Sequence, residues 1–245
     1  MTQRTSQLLN RLSESATIAM ARKATELKKS GVDVISLSLG EPDFDTPELL
    51  KAAGIKAIEE NITHYTPVPG ILDVREAISK KFKRDNGLDY GPDQIVVSNG
   101  AKQSITNVVL SLVDPGEEVI LPAPYWVSYA DMVALAGGTS RVLATSIEHD
   151  FKIQPEALEA AITDKTRLLI YSSPCNPSGS VYTQSEIDAL AEVLKRHPQV
   201  FIISDEIYEL INFTGKHASI GTIPALKDRV ITVNGVSKGF AMTGW

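Results

Sequence analysis

The sequence is poor in the residues that form disulfides and metal clusters. It has one cysteine in 245 residues, Cys175, which excludes an internal disulfide. Its four histidines have no second thiol to join them, so we expect no metal cluster.

Long apolar runs and long basic runs are also missing. No window approaches the length of a membrane span, and the N-terminus has no uninterrupted apolar core behind basic residues, so we expect a cytoplasmic protein. The net charge is -6, and without a basic run there is no electrostatic footprint for nucleic acid or for an anionic membrane. We therefore expect a small-molecule partner.

What is present is an ordinary globular composition, 43% apolar and 22% charged, in which predicted strands and helices alternate. This alternation predicts an α/β fold with a mostly parallel central sheet and helices on both faces. The predicted strands are 32–40, 94–98, 118–122, 139–145, 167–172, 200–204 and 230–233, and the predicted helices include 49–60, 72–84, 128–137, 155–162 and 185–196. Short connections favour one compact unit from about Pro47 onward.

Two ionisable residues lie at or shortly after the ends of predicted strands. Lys238 lies just beyond the β-branched run 230–233, and Asp205 ends the apolar strand 200–204. Ligands of open α/β sheets bind at the carboxyl ends of the strands, and a partly desolvated lysine there suits Schiff-base chemistry. Taken alone, a surface lysine and a surface helix cap remain open alternatives.

A strand-to-helix turn at Ser98, Asn99, Gly100 and Ala101 predicts an anion site, because unpaired backbone N–H groups and the positive end of the helix dipole meet there. Phosphate is the usual occupant of such a turn. Lys102, in the first turn of that helix, needs an acidic neighbour or ligand. Many strand-to-helix turns look similar, so this feature is weak alone.

Four loop residues are further candidates: Gly40 allows a close backbone approach, and Trp126 and Asn176 lie beyond strand ends. Tyr65 stands in a proline-containing loop. The purely structural alternatives are a tight turn at Gly40, a core tryptophan at Trp126 and a surface tyrosine at Tyr65.

Six motifs follow one another along the chain in this order: GEPDFDTP, SNGAKQ, PYW, SPCNPSG, SDEIYE and VNGVSKGFAMTGW. In this arrangement the chain resembles the fold-type I, class I aminotransferases that use pyridoxal phosphate, and it is most similar to their bacterial aspartate aminotransferase-like branch. The resemblance runs from GEPDFDTP to Trp245.

The resemblance implies a role for each cleft residue. Lys238 would form the internal aldimine with the cofactor and then move the proton between the substrate Cα and the cofactor. Asp205 would pair with the pyridine nitrogen, while Tyr208 and Asn176 would bond the phenolate oxygen. Trp126 would stack on the ring, and Trp126 and Asn176 would also contact the substrate.

The phosphate is implied to lie on Gly100, Ala101 and Lys102, with Ser237 adding a hydroxyl. Tyr65 is expected to reach the phosphate of a neighbouring subunit, which implies a homodimer. Gly40 would contact the substrate carboxylate, and Lys102 points toward an acidic substrate.

The resemblance also sets expectations for domains. It assigns 1–46 to a segment of the small domain and 47–245 to the cofactor-binding large domain. Family members continue after TGW with a phosphate-binding arginine, an antiparallel strand, most of the small domain and the arginine that binds the substrate carboxylate. We therefore expect a polypeptide limited to 1–245 to be poorly stable and inactive.

The predicted function is a ping-pong aminotransferase in amino-acid metabolism. Aspartate and 2-oxoglutarate are the leading substrates, and prephenate, aromatic or broad neutral amino acids are alternatives on the same scaffold. A lyase of the same fold remains open, since the same chemistry can expel a side-chain group. A non-catalytic protein that keeps the fold is the alternative outside enzymes.

Overall fold

The structure, a computed structural model, describes residues 5–6, 8–12, 16–37 and 40–245. Its strands are β1 Glu118–Ala123, β2 Thr139–Ala144, β3 Thr166–Ser172, β4 Phe201–Asp205 and β5 Val230–Val233. Its α-helices are α1 Ala16–Lys29, α2 Glu48–Glu59, α3 Leu72–Lys81, α4 Ala101–Leu112, α5 Ser128–Ala136, α6 Pro155–Ala161, α7 Gln184–Lys195 and α8 Val236–Gly239. A π-helical turn, Phe82–Asn86, extends α3.

The strands form a parallel sheet in the order β2-β1-β3-β4-β5, which confirms the predicted fold class. Helix α7 shows how local sequence sets these elements. Thr183 and Glu186 form a capping box, with the Thr183 N–H donating to Glu186 Oε2 at 2.7 Å. The apolar face that carries Ile187, Leu190 and Leu194 then packs on the sheet.

The sheet separates two apolar layers, one built with α6 and α7 and the other with α4 and α5. Successive residues of a strand point to opposite faces. In β4, Ile202 therefore packs in the α6 and α7 layer, whereas Ile203 packs in the α4 and α5 layer.

All carboxyl ends of the parallel strands lie at one edge of the sheet, and the loops that leave β1, β3, β4 and β5 meet there. The register places Ser172 opposite Asp205 and Asp205 opposite Val233. The fold thus gathers the motif residues that follow these strands.

Two predicted strands were wrong as sheet members. Residues 95–98 are extended after a short 3-10 turn, Pro92–Gln94, but they join no ladder within the described residues. The Val97 N–H donates instead to Pro69 O at 3.0 Å. Residues 32–37 also form no strand, and positions 38 and 39 lie outside the described residues. A β-branched pattern favours the extended conformation, but a strand of a sheet also needs a neighbouring strand to bond with, and the local pattern does not reveal one.

Among the described helices, none is both long and apolar enough to cross a membrane.

Candidate active site

Lys238 lies in α8, directly after the loop that leaves β5. Its Nζ donates a hydrogen bond to Gly40 O at 3.0 Å. The same ammonium lies 6.0 Å from the centroid of the Tyr208 ring. The structure therefore brings three predicted site residues together from distant parts of the chain.

Gly40 is held there by the segment that follows it. The Thr46 hydroxyl donates to Ala241 O at 2.5 Å, and the Trp245 indole N–H donates to Thr46 Oγ1 at 3.2 Å. Thr243 donates to Glu41 Oε1 at 2.7 Å. These bonds fasten the GEPDFDTP segment onto the chain that follows Lys238.

Asp205 is the acid of the site, and it is 4% exposed. Its Oδ2 accepts a hydrogen bond from the Tyr129 hydroxyl at 2.6 Å, and its Oδ1 accepts from the Ile207 N–H at 3.2 Å. Burial raises the pKa of Asp205 to about 6, although the Tyr129 bond opposes the rise. Burial and the nearby Asp205 carboxyl raise the pKa of Tyr129 well above its ordinary value. No described cation pairs with Asp205, so the site holds an acid that a positively charged ligand group would stabilise.

This raised pKa predicts a pH effect on the cofactor-free protein. Between about pH 4 and pH 6 the folded state holds a proton on Asp205 that the unfolded state has lost, so this group makes stability fall as the pH rises. The Asp205→Asn protein lacks the effect. Its free energy of unfolding relative to wild type should rise by up to about 3 kcal/mol across that window.

Urea unfolding at several pH values measures this difference. Asp164→Asn is the matched control, because Asp164 is exposed. A flat difference between Asp205→Asn and wild type would contradict a raised pKa at Asp205.

Tyr208 and Asn176 meet beside Lys238. The Asn176 amide donates to the Tyr208 hydroxyl at 3.4 Å. Burial raises the pKa of Tyr208, and the Asn176 bond partly opposes this. The loop that carries Asn176 is closed by backbone bonds from Gly179 N to Cys175 O at 2.8 Å and from Cys175 N to Ser180 O at 2.9 Å. An amide from a fixed loop and a hydroxyl from the segment after β4 therefore converge on one side of the cleft.

The N-terminus of α4 forms another side of the cleft. Gly100 precedes the helix with φ of +82°, a conformation that favours glycine. Within the described chain, the N–H groups of Ala101 and Lys102 donate to no backbone carbonyl outside the helix. Those donors and the helix dipole make an anion cradle.

Aromatic side chains connect this cradle to Asp205. The Lys102 ammonium lies 5.0 Å from the centroid of the Trp126 ring. Trp126 in turn packs edge to face on Tyr129, with ring centroids 5.5 Å apart. The cradle, the indole and the buried acid therefore form one continuous wall.

Every predicted site residue except one lines a single open groove of about 2490 Å³, which includes the strand ends and continues along the free side of β5 as far as Val230. We call this groove the strand-end cleft. Its lining includes Gly40, Gly100, Ala101, Lys102, Trp126, Asn176, Asp205, Tyr208, Ser237 and Lys238. Tyr65 does not line this strand-end cleft, and its side chain is fully exposed. The roles of these residues remain predictions, while their proximity is a property of the fold.

Sequence reasoning missed Tyr129. It follows Trp126 by three positions, in a turn that leads into α5, where the Tyr129 N–H donates to Trp126 O at 3.0 Å. That spacing was visible in PYWVSY, but only the fold shows that the hydroxyl meets Asp205.

The sequence and the fold were compared with those of known proteins. Residues 32–245 match the family described as aminotransferase class I and II. A Petunia hybrida protein, named as a bifunctional aspartate aminotransferase and glutamate/aspartate-prephenate aminotransferase, is 52% identical over 97% of this chain and 50% of its own length. A probable aspartate/prephenate aminotransferase of Rickettsia bellii is 53% identical over 97% of this chain and 60% of its own.

A solved aspartate aminotransferase of Thermus thermophilus with maleate has a TM-score of 0.95 and 43% identity, covering all of this chain and 63% of that one. The chain therefore spans about half to three fifths of the length of these relatives. Since the family match covers most of the sequence, and fold and motifs agree with it, the chain belongs to the class I and II aminotransferase family.

Proposed function

We propose that this chain forms the cofactor-holding part of an enzyme that moves an amino group from an L-amino acid, with aspartate favoured, to a 2-oxo acid, with 2-oxoglutarate favoured. The observation that carries the proposal is that Lys238, Asp205 and the α4 N-terminus line one cleft, in which Lys238 bonds to Gly40 and lies 6.0 Å from the Tyr208 ring. The relatives are named as aminotransferases, which favours amino transfer over elimination by a lyase.

Pyridoxal phosphate is the cofactor of this family, and the residues present fit it. The buried Asp205 carboxyl lacks a cation among the described residues, and a protonated ring nitrogen would provide one. The N–H groups of Ala101 and Lys102 have no backbone acceptor outside the helix among the described residues, and they suit a phosphate. When bound, pyridoxal phosphate supplies a reactive carbonyl and a ring that accepts electrons.

The chain's own residues then have separable tasks. Lys238 has the amine that can hold the cofactor and, once free, take a proton from the substrate Cα and return it. Asp205 keeps a ring nitrogen protonated. Tyr208 and Asn176 donate to an anionic oxygen, and Trp126 covers a flat ring and excludes water from one side.

Gly100→Ala tests the anion cradle. Since φ at Gly100 is +82° and no atom lies within 4 Å of an added Cβ, the cost is conformational rather than steric. Because ψ at Gly100 is 160°, we expect about 1–3 kcal/mol of destabilisation and about tenfold weaker binding of pyridoxal phosphate, measured by absorbance titration.

Gly116→Ala is the matched control, because Gly116 has φ of +93°, has no atom within 4 Å of an added Cβ and does not line the strand-end cleft. It should lose similar stability and keep its affinity for the cofactor. Equal affinities of the two variants would contradict a phosphate site at Gly100.

An acidic substrate is supported by the position of Lys102 in the strand-end cleft. The names of the relatives and the maleate of the Thermus thermophilus structure favour dicarboxylic ligands, with prephenate as the second candidate. We expect Lys102→Ala to lower kcat/KM for aspartate about tenfold and to change it for phenylalanine by less than about twofold.

The control for this specificity test is Lys165→Ala, which removes an exposed charge outside the cleft. The steady-state kcat/KM values for three amino donors rank the substrates directly: aspartate, phenylalanine and the amino acid that forms when prephenate accepts an amino group. Equal losses for aspartate and phenylalanine would remove Lys102 as the determinant.

Assembly and organisation belong to the same proposal. We propose a homodimer in which the exposed Tyr65 reaches the partner's phosphate site, supported by the exposed apolar side chains of Leu49, Ile55 and Ile58 on α2. We also propose that 1–46 contributes to a small domain and 47–245 forms the large domain. Cytoplasmic location, and inactivity of a polypeptide limited to 1–245, remain predictions.

A further inference from the structure

The strand-end motif SDEIYE places its acids on opposite sides of the sheet. Asp205 ends β4 and points toward Tyr129 in the α4 and α5 layer. Glu206 is the next residue, so it points the other way. It is fully buried and does not line the strand-end cleft.

A buried carboxylate needs donors, and Glu206 has several. Its Oε1 accepts from Ser204 Oγ at 2.8 Å and from Ser219 Oγ at 2.5 Å. Its Oε2 lies 2.8 Å from His217 Nε2. We call Ser204, Glu206, His217 and Ser219 the Glu206 network.

The same turn is fastened at further points. The Glu206 N–H donates to Val233 O at 2.8 Å, at the end of the strand that leads to Lys238. Three residues on, Glu209 forms an ion pair with Lys81, and its Oε2 accepts from Asn86 Nδ2 at 2.5 Å. The carboxylates of Glu206 and Glu209 thus bond to other protein groups. Asp205, Tyr208 and Glu209 line the cleft, whereas Glu206 does not.

A metal ion is the competing explanation, because ligand atoms of Glu206, Glu209 and His217 all lie within 4.8 Å of one another. Every carboxylate oxygen of these two glutamates already accepts a hydrogen bond from a protein donor or faces the His217 imidazole. Protein groups therefore already satisfy these carboxylates without a metal ion.

We propose that Glu206 and His217 are positioning residues for the active site, a role that rests on the proposed function. The Glu206 network holds the turn between β4 and residue 209 from the face of the sheet opposite Asp205. It thereby fixes the positions of the Asp205 carboxyl and the Tyr208 hydroxyl. Loss of the His217 donor leaves a buried carboxylate oxygen without a partner, and the turn must move to reach another donor or water.

The test compares two substitutions of His217 in the holoenzyme and the cofactor-free protein. His217→Phe removes the donor, and His217→Gln keeps an N–H near the position of Nε2. We expect His217→Phe to bind pyridoxal phosphate about tenfold more weakly and His217→Gln to remain within about twofold of wild type. In the cofactor-free protein, hydrogen exchange of residues 206–211 should accelerate in His217→Phe alone.

Thr166→Val is the control for lost stability without displacement of the turn. Thr166 is buried at the amino end of β3, and its hydroxyl oxygen accepts from the Thr163 N–H at 2.8 Å. This variant should have a lower melting temperature than wild type and keep the wild-type affinity for pyridoxal phosphate. If His217→Phe does not fold, Ser219→Ala replaces it, with about threefold weaker binding expected.

The outcomes separate the two proposals. Wild-type affinity in His217→Phe, or equal losses in His217→Phe, His217→Gln and Thr166→Val, would overturn the positioning role. Failure of the wild-type protein to bind pyridoxal phosphate would instead contradict the proposed function, and the exchange of residues 206–211 would still decide whether His217 holds the turn.

Discussion

The Lys238→Ala enzyme is expected to lose transamination of aspartate by about 10⁴-fold or more. Lys238 is the amine that the fold places beside Gly40 and Tyr208 at the end of β5. In the proposed function its amine both holds the cofactor and moves the Cα proton, and alanine can do neither. The loss is measured as kcat with saturating aspartate and 2-oxoglutarate.

Two further variants make this result specific. Lys238→Arg keeps the positive charge but carries a guanidinium that does not release its proton, so it should be nearly as inactive as alanine. Lys165→Ala removes an exposed lysine and should keep nearly full activity. Substantial turnover by Lys238→Ala would show that another group carries the reaction.

The second large effect is expected at Asp205. An asparagine at this position is neutral, so the Asp205→Asn enzyme should be slower by about 10²–10³-fold because the charge that stabilises a protonated ring nitrogen is gone. The asparagine can still accept the hydrogen bond that Tyr129 donates, so the fold around it should persist.

Asp205→Glu tests charge against geometry, since it keeps the carboxylate and shifts it by one methylene. We expect it to recover part of the activity that Asp205→Asn loses. Asp164→Asn, at an exposed position, should be unchanged. Wild-type activity in Asp205→Asn would remove the electrostatic role of this residue.

The sequence was a good guide wherever the site depends on strand ends. Asp205 and Lys238 each follow a β-branched run, and parallel strands carry their carboxyl ends to one edge, so their proximity could be predicted before the fold was seen. Gly100 was predicted from a strand-to-helix turn; the helix begins at Ala101 as expected, but residues 95–98 before it join no ladder in the described chain. The parallel α/β class and the aminotransferase family were both confirmed.

The sequence was a poor guide where a contact joins distant segments. Nothing in the local pattern pairs Tyr129 with Asp205 or His217 with Glu206, because each pair is made by loops that meet only after the sheet has formed. The strand predicted at 94–98 was wrong for the same reason. Its residues favour an extended chain, but a ladder also needs a neighbour, and Val97 bonds to Pro69 O instead.

The absorbance spectrum of the complete enzyme that contains this chain, recorded with pyridoxal phosphate and again after addition of aspartate without any oxo acid, tests the role of Lys238 most directly. We expect a visible band that depends on Lys238 and moves to shorter wavelength when aspartate donates its nitrogen. A band that forms equally well in Lys238→Ala, or one that no amino acid changes, would rule out Lys238 as the amine that holds the cofactor and takes part in amino transfer.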